Sequence, residues 1–131
     1  MPATAHSGYQ NATDIVIDMA TAVPAATTET FAVTATRAFK VVGISCIAEA
    51  TAAGSSVEVR KGATVIVTGL AMVTANAVTR AATLVTTALD FAVGDTLNVA
   101  VTSGAGVTAQ GVIIVLTEPL ALGDAKVVTA T

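Results

Sequence analysis

The chain has 131 residues, a length typical of one domain of roughly 100–200 residues, and its single cysteine excludes an internal disulfide. Charged residues make up 11% of the sequence, against about 25% in an ordinary soluble domain, while hydrophobic residues make up 53%. The net charge is −3 and the six basic residues are scattered, so no basic cluster could neutralise a run of phosphates. We therefore expect no nucleic-acid partner.

The longest uncharged stretch, residues 96–117, is too polar for a membrane-spanning helix. It contains Asn98, Ser103, Gln110 and three glycines, whereas a spanning helix needs about 20 predominantly apolar residues. Residues 1–10 have neither a basic region nor an apolar core, so the sequence predicts no Sec-type signal peptide. Because so little of the chain is charged, we expect no membrane partner but an oligomer or a component of a larger assembly.

The first half of the chain shows strand patterns after an N-terminal segment that has none. Residues 1–12 lack periodicity and are predicted to form a flexible, extended arm. The predicted strands that follow are, in chain order, 14–19, 31–36, 39–48, 57–60 and 63–68, with a connector at 20–30, a turn at 52–56 and a break at Gly69. The strand 39–48 is apolar on both sides, which predicts either a central strand of a sandwich or a strand covered by a neighbouring subunit.

The second half continues the strand patterns. Residues 70–89 predict two strands, about 70–75 and 78–89, because β-branched residues disfavour a helix and no caps frame one. The stretch 91–116 predicts a hairpin. Its parts are a turn at 93–95, a strand at 96–102, a flexible tip at 103–106 and a returning strand at 107–116. Pro119 ends this strand, and a turn at 122–124 and a last strand at 126–130 complete the prediction.

The returning strand is apolar on both faces over residues 112–116. One face should cover the sandwich core, and the other needs cover from a second layer or a neighbouring subunit. Replacement of Ile113 or Ile114 by aspartate is therefore predicted to be severely disruptive, because it would bury an unpaired charge.

Together these elements predict an all-β fold. Eight to ten strands with turn signals every 8–12 residues are typical of a β-sandwich or barrel. An antiparallel β-sandwich of the jelly-roll type is the first choice for this number of strands. The predicted organisation is an arm over residues 1–12 and a single sandwich domain over residues 13–131.

No residue set in the sequence indicates catalysis, cofactor binding or a metal site, so we expect no enzyme activity. Residues 104–109 match a GxGxxA pattern, but pyrophosphate binding requires a helix after the glycines and a strand is predicted here. The one histidine, His6, lies in the predicted arm, where no partner could orient it for triad chemistry. Cys46 lies in an apolar run and is interpreted as a small buried hydrophobe.

Two pairs of acids suggest a calcium site or a glycosidase pair, but each has a simpler interpretation. Asp14 and Asp18 share one face of a strand, which they would keep in water. Asp90 and Asp95 flank a turn, and Asp95 is predicted to cap the turn at Gly94 through a side-chain hydrogen bond.

Binding modules for sugars or ice receive little support. Sugar recognition commonly uses large aromatic rings, and the chain has no Trp and a single tyrosine, Tyr9, in the predicted arm. The pairs Thr34/Thr36 and Thr129/Thr131 do not recur at the fixed period of an ice-binding face.

Two segments resemble the closing strands of small all-β virion proteins of tailed bacteriophages. They are VGDTLNV at 93–99 and AQGVIIVL at 109–116, and the hairpin VEVRKGA at 57–63 fits the same style. The best-matching members are head decoration proteins, also called cement proteins, and the resemblance covers residues 39–117. It implies a β-sandwich, often a homotrimer, on the outer capsid surface where subunits of the major capsid protein meet. It also implies synthesis in the host cytoplasm and termini that clasp neighbouring subunits.

Three hypotheses for the function follow. The first is a structural virion protein that decorates and stabilises a phage capsid through subunit-bridging contacts. The second is a tail, baseplate or fibre component of the same kind of particle. The third is a binding module such as an adhesin or an ice-binding domain.

Overall fold

The computed structural model describes residues 14–120, which fold into two antiparallel β-sheets packed face to face. Nine strands form within this range. In chain order they are β1 (Ile15–Asp18), β2 (Thr28–Thr34), β3 (Phe39–Ala48), β4 (Ser56–Lys61), β5 (Thr64–Ala71), β6 (Val78–Arg80), β7 (Asp90–Phe91), β8 (Thr96–Thr102) and β9 (Gly111–Pro119). A 3-10 turn at Thr86–Ala88 is the one helical element in the described range, which contains no helix able to cross a membrane.

The strand order identifies the topology. The first sheet has the order β1-β9-β3-β6, with the two-residue β7 beside one end of β3, and the second sheet has the order β2-β8-β4-β5. With β7 set aside, eight strands pair first with last, second with seventh, third with sixth and fourth with fifth. The chain is therefore one long hairpin rolled into two four-stranded sheets, which is a jelly roll. The predicted all-β sandwich is confirmed.

Alternating side chains of both sheets fill the core. Each strand points every second residue inward, as the period of a pleated strand requires. In β8, for example, Leu97, Val99 and Val101 are fully buried. The largest buried side chain, Phe91, stacks on Phe39 of β3 with ring centroids 4.8 Å apart. The core is thus built mainly from Val, Ala and Ile, with one aromatic pair at the β3–β7 end.

Several predicted strands coincide with observed ones. β3 and β8 have the predicted bounds, and β1 and β4 lie at the predicted positions. β2 begins at Thr28, within the predicted connector, because all seven of its residues pair with β8. Of the two settings predicted for residues 39–48, the central position is confirmed, since β3 lies between β9 and β6.

The predicted break at Gly69 is wrong. β5 continues through Gly69 to Ala71 because the residue takes a φ of +70° at an irregularity where the β4–β5 register shifts. Glycine adopts positive φ without steric cost, so it absorbs the extra residue of a bulge and the strand resumes.

The two strands predicted over residues 70–89 are also largely wrong. Residues 70 and 71 complete β5, and the three-residue β6 pairs only with Ser45–Ile47 of β3. The chain then leaves the first sheet and forms the 3-10 turn, where Val85 N–H donates to the Ile66 carbonyl of β5. This segment therefore closes one side of the sandwich, and its β-branched residues do so without forming the predicted strand.

The predicted hairpin over residues 91–116 is wrong in its pairing. β8 lies between β2 and β4 in the second sheet, whereas β9 lies between β1 and β3 in the first. The segment 103–110 carries the chain from one sheet to the other, and β9 begins at Gly111 instead of residue 107. The flexible tip predicted at residues 103–106 is also wrong, because Ser103 is buried and Gly104 N–H donates to Ser55 Oγ at 3.0 Å. The end of β9 at Pro119 agrees with the prediction.

Three predictions lie outside the described residues. They are the arm at 1–12, the turn at 122–124 and the strand at 126–130.

Candidate interaction surface

The outer face of the first sheet is apolar and has no second layer over it within residues 14–120. We call this surface the apolar face. Its side chains come from all four strands of the sheet. They are Val16 of β1, Val112, Ile114 and Leu116 of β9, Val42 and Ile47 of β3, and Val78 of β6.

Strand register gathers these side chains into rows across the sheet. One row runs Val16, Ile114, Ser45, Arg80 from β1 to β6. The next row runs Asp18, Val112, Ile47, Val78. Side chains directly opposite on neighbouring strands are in contact range, so the rows form one continuous surface.

Gly43 leaves room on the apolar face for the side chain of Leu116, its neighbour on β9. A Cβ at Gly43 would lie 3.0 Å from Leu116 Cδ1, so the absence of a side chain lets Leu116 lie across β3. Gly43 stands at the irregularity of the β3–β9 register, which brings it opposite Leu116.

The apolar face is substantially exposed. Val16 is 58% exposed, Val78 51%, Val42 48% and Leu116 38%. Single exposed apolar residues are ordinary, but a contiguous patch of this kind marks an interaction site.

Charged residues border the apolar face, with acids along the β1 edge, Arg80 on the β6 edge, and the mixed row Glu118, Lys40 and Asp90 across the end next to β7. Asp14 and Asp18 flank Val16 along the β1 edge, and Arg80 stands on the β6 edge. All three side chains belong to exposed residues, and none of them forms a salt bridge within residues 14–120. The interpretation that Asp14 and Asp18 keep a strand face wet therefore describes only the rim of a mainly apolar surface.

The outer face of the second sheet differs sharply. We call it the threonine face, because β2 and β8 present small polar residues there, with Thr28 and Thr102 joined by a 2.8 Å hydroxyl hydrogen bond. On β4, Arg60 Nε donates to Glu58 Oε1 at 2.9 Å. This hydrogen bond is the main reason that the pKa of Glu58 is lowered. The same fold thus has one polar outer face and one mainly apolar outer face.

A cluster of polar contacts at the β7–β8 turn is structural. Asp95 Oδ2 accepts a 2.8 Å hydrogen bond from Ala92 N–H, which confirms the predicted cap of the Gly94 turn. This bond is the main cause of the lowered pKa of Asp95. Lys61 Nζ lies 3.5 Å from Asp95 Oδ2 and donates to the backbone carbonyl of Asp90 at 2.7 Å, so within residues 14–120 only the Asp95 carboxylate of this pair of acids is engaged through its side chain.

The glycines of the GxGxxA stretch serve packing. A Cβ at Gly104 would lie 2.0 Å from the Ala53 carbonyl oxygen, so only glycine fits there. Val107 N–H donates to the Gly104 carbonyl, and a loop and then a strand follow the glycines. The helix N-terminus that would bind pyrophosphate does not follow them.

One groove is lined by residues of β1, β2, β3 and β9, and its apolar lining includes Ile15, Val33, Phe39 and Pro119. Residues 14–120 contain no group of three or more His, Cys, Asp or Glu side chains that could hold a metal ion.

Cys46 provides a test of the packing between the sheets. It is fully buried, and its Sγ lies 3.4 Å from the Ala71 carbonyl, to which the thiol donates. Burial raises the pKa of Cys46 from its ordinary 9.0 to about 11, because the thiolate would lose its hydration. The unfolded chain therefore releases this proton first, which favours unfolding as pH rises.

We expect the free energy of unfolding to fall between about pH 9 and about pH 11 through this group, and not below pH 9. Urea unfolding of the wild type and of Cys46→Ala at a series of pH values measures the effect. The difference between the two proteins should shrink over that interval. Parallel curves would show that the thiol is not buried as described.

Sequence reasoning located part of the apolar face. The two-sided apolar pattern of Val112 to Leu116 pointed to a need for cover, and the structure places Val112, Ile114 and Leu116 on the outer face. The contributions of Val16, Val78 and Arg80 were missed. They come from short strands whose position beside β9 and β3 has no local signal.

Comparison with known proteins finds no matching protein-family model, no significantly similar curated protein and no significantly similar solved structure.

Proposed function

We propose that the protein is a structural virion protein that decorates and stabilises a tailed-phage capsid through contacts that bridge subunits. The observation that carries this proposal is the apolar face, whose most exposed member, Val16, is 58% exposed. Covering an exposed apolar surface with a neighbouring protein removes it from water, which is favourable. An ordered particle supplies such neighbours at fixed positions.

The protein would stabilise the shell by adding buried interface area between itself and the assembled subunits. Full burial of a Val, Leu or Ile side chain stabilises a complex by about 1.5–3 kcal/mol relative to exposure, so the half-exposed members of the apolar face contribute about 1 kcal/mol each. A protein that binds the assembled shell and not its separated subunits stabilises the shell by mass action. No chemical step is required of any side chain.

Two further features support a structural role. Jelly rolls are a common architecture of viral capsid domains, although a fold alone does not define a function. The Asp95 carboxylate and the Lys61 ammonium group, which lie at the β7–β8 turn, are both engaged in holding that turn.

Addition of the protein to purified capsid shells that lack it tests the proposal. We expect co-sedimentation at a fixed ratio to the major capsid protein and an increase in the melting temperature of the shell. Thr30→Asp, an exposed change on the threonine face, should still co-sediment. The proposal is wrong if the wild-type protein neither binds shells nor alters their melting temperature.

A tail, baseplate or fibre component is the second candidate, because the apolar face would serve equally in a ring or stalk. Electron microscopy of virions that carry labelled protein separates the two. Label on the head agrees with decoration, and label confined to the tail favours the second candidate.

A further inference from the structure

We propose that the apolar face is covered by a second copy of this chain, related by a twofold axis parallel to the strands, so that β1 of each copy lies over β6 of the other. The inference deepens the proposed function by naming a second copy, in place of the capsid protein, as the neighbour that covers the apolar face; other surfaces of the pair would then contact the shell. The inference stands on the geometry of the first sheet, and its test is separate from capsid binding.

The twofold axis brings the two sheets together row on row. Rotation about an axis that runs between β9 and β3 exchanges these strands and keeps each row at its own height. Ile114 then faces Ser45 of the second copy, and Val112 faces Ile47. Sheets that pack face to face lie about 10 Å apart with their strands nearly aligned, a separation that side chains of this size fill.

Charge complementarity supports this arrangement. Arg80 shares its row with Val16, so it faces Val16 of the second copy, between Asp14 and Asp18. These aspartates lie one pleat to either side, about 6.6 Å along the strand, within reach of an Arg side chain. The symmetry repeats the contact at the opposite edge, so both Arg80 side chains gain acidic partners at the rim of an apolar interface.

The same charges disfavour the other face-to-face arrangement. A twofold axis perpendicular to the strands would place β1 over β1, with Asp14 of one copy against Asp18 of the other. Four carboxylates would then meet without a basic residue from β6. Like charges at a contact oppose association, so the edge charges select the orientation as well as the partner.

Cross-linking distinguishes the two arrangements. Val78 and Asp18 share a row but lie three strand spacings apart in one chain, about 14 Å, whereas the proposed axis places Val78 of one copy over Asp18 of the other. A mixture of full-length Val78→Cys and Asp18→Cys proteins, treated with a bismaleimide that spans about 10 Å, should give a mixed dimer. Buried Cys46 supplies a low background. Efficient linking of an Asp14→Cys protein to an Asp18→Cys protein, the pair that the perpendicular axis would bring together, would overturn the orientation.

Charge reversal tests the contact at the rim. We expect Arg80→Glu to weaken self-association at least tenfold in sedimentation velocity, and the triple change Arg80→Glu, Asp14→Arg, Asp18→Arg to restore it. Arg60→Glu makes the same charge change on the threonine face and should leave association unchanged. Restoration by the triple change is not expected if residue 80 acts only on folding.

The remaining outcomes identify other occupants. A wild-type monomer that binds capsid shells would overturn this inference and leave the proposed function intact, with the capsid protein covering the face. A wild-type monomer in which residues 1–13 or 121–131 protect the face from hydrogen exchange would also overturn it. A dimer that cross-links as described but ignores capsid shells would support the inference and contradict the proposed function.

Discussion

Replacement of Ile113 by aspartate is expected to abolish the cooperative folding of the domain. Ile113 is fully buried at the centre of the first sheet, where it pairs with Ile17 of β1 on one side and Cys46 of β3 on the other. A carboxylate at this position has no hydrogen-bonding or charged partner, and its burial costs several kcal/mol. Because a domain of this size is stable by about 5–15 kcal/mol, circular dichroism should show no sharp thermal transition.

Ile114→Asp is the matched control, since it makes the same change one residue along β9. Ile114 is only partly buried and points to the apolar face. We expect this variant to fold, with a loss of stability of about 1–2 kcal/mol, and to lose self-association because the charge would be buried between two copies. The sequence alone predicted severe disruption from either change. Equal stability of the two variants would contradict the inward and outward assignments in β9.

The second large effect is expected at Gly104, where the crossing between sheets touches the loop before β4. A Cβ there would lie 2.0 Å from the Ala53 carbonyl oxygen and 3.1 Å from the Gly54 carbonyl carbon. Both neighbours are backbone atoms, so neither can rotate away. We expect Gly104→Ala to lower the free energy of unfolding by about 3 kcal/mol or more, measured by urea denaturation.

Gly106→Ala separates this clash from ordinary backbone strain in the same segment. Gly106 has a φ of +73° and no atom within 4 Å of an added Cβ. Its replacement should cost only about 1 kcal/mol, the usual penalty for a side chain in the left-handed region. A cost at Gly104 no larger than that at Gly106 would show that segment 103–110 does not pack against the loop of residues 53–54.

The sequence predicted strands far better than it predicted their partners. The period-two pattern and β-branched residues defined β3 and β8 because these properties belong to the strand itself. The pairing of β8 with β2, and of β9 with β1, joins residues that lie far apart in the chain. Adjacent strands with a glycine-rich connection look like a hairpin, although in a jelly roll the connection crosses between sheets.

Local exceptions in the backbone explain most of the remaining differences. Gly69 looks like a strand terminator, but its φ of +70° serves a bulge inside β5. Residues 72–89 have β-branched composition, yet β3 offers β6 only three partners before the chain must turn to close the sandwich. These outcomes depend on where neighbouring strands end, which composition does not encode.

The apolar face, too, was predicted from the sequence only in part. The two-sided apolarity of the end of β9 predicted that its outer side chains need cover, because a strand with one wet face alternates. The breadth of the apolar face depends on β1 and β6, the two strands that sheet topology places on either side of β9 and β3. The opposite charges of its edges appear only when β1 and β6 are known to be the edge strands.

The most direct test of the central claim, that the apolar face packs against a second copy, is native mass spectrometry of the full-length protein over a range of concentrations. We predict a species of twice the 12.9 kDa chain mass, which Val78→Asp on the apolar face abolishes and Thr30→Asp on the threonine face preserves. A wild-type protein that remains a 12.9 kDa monomer at every concentration would contradict the claim. So would a discrete trimer that Val78→Asp leaves unchanged.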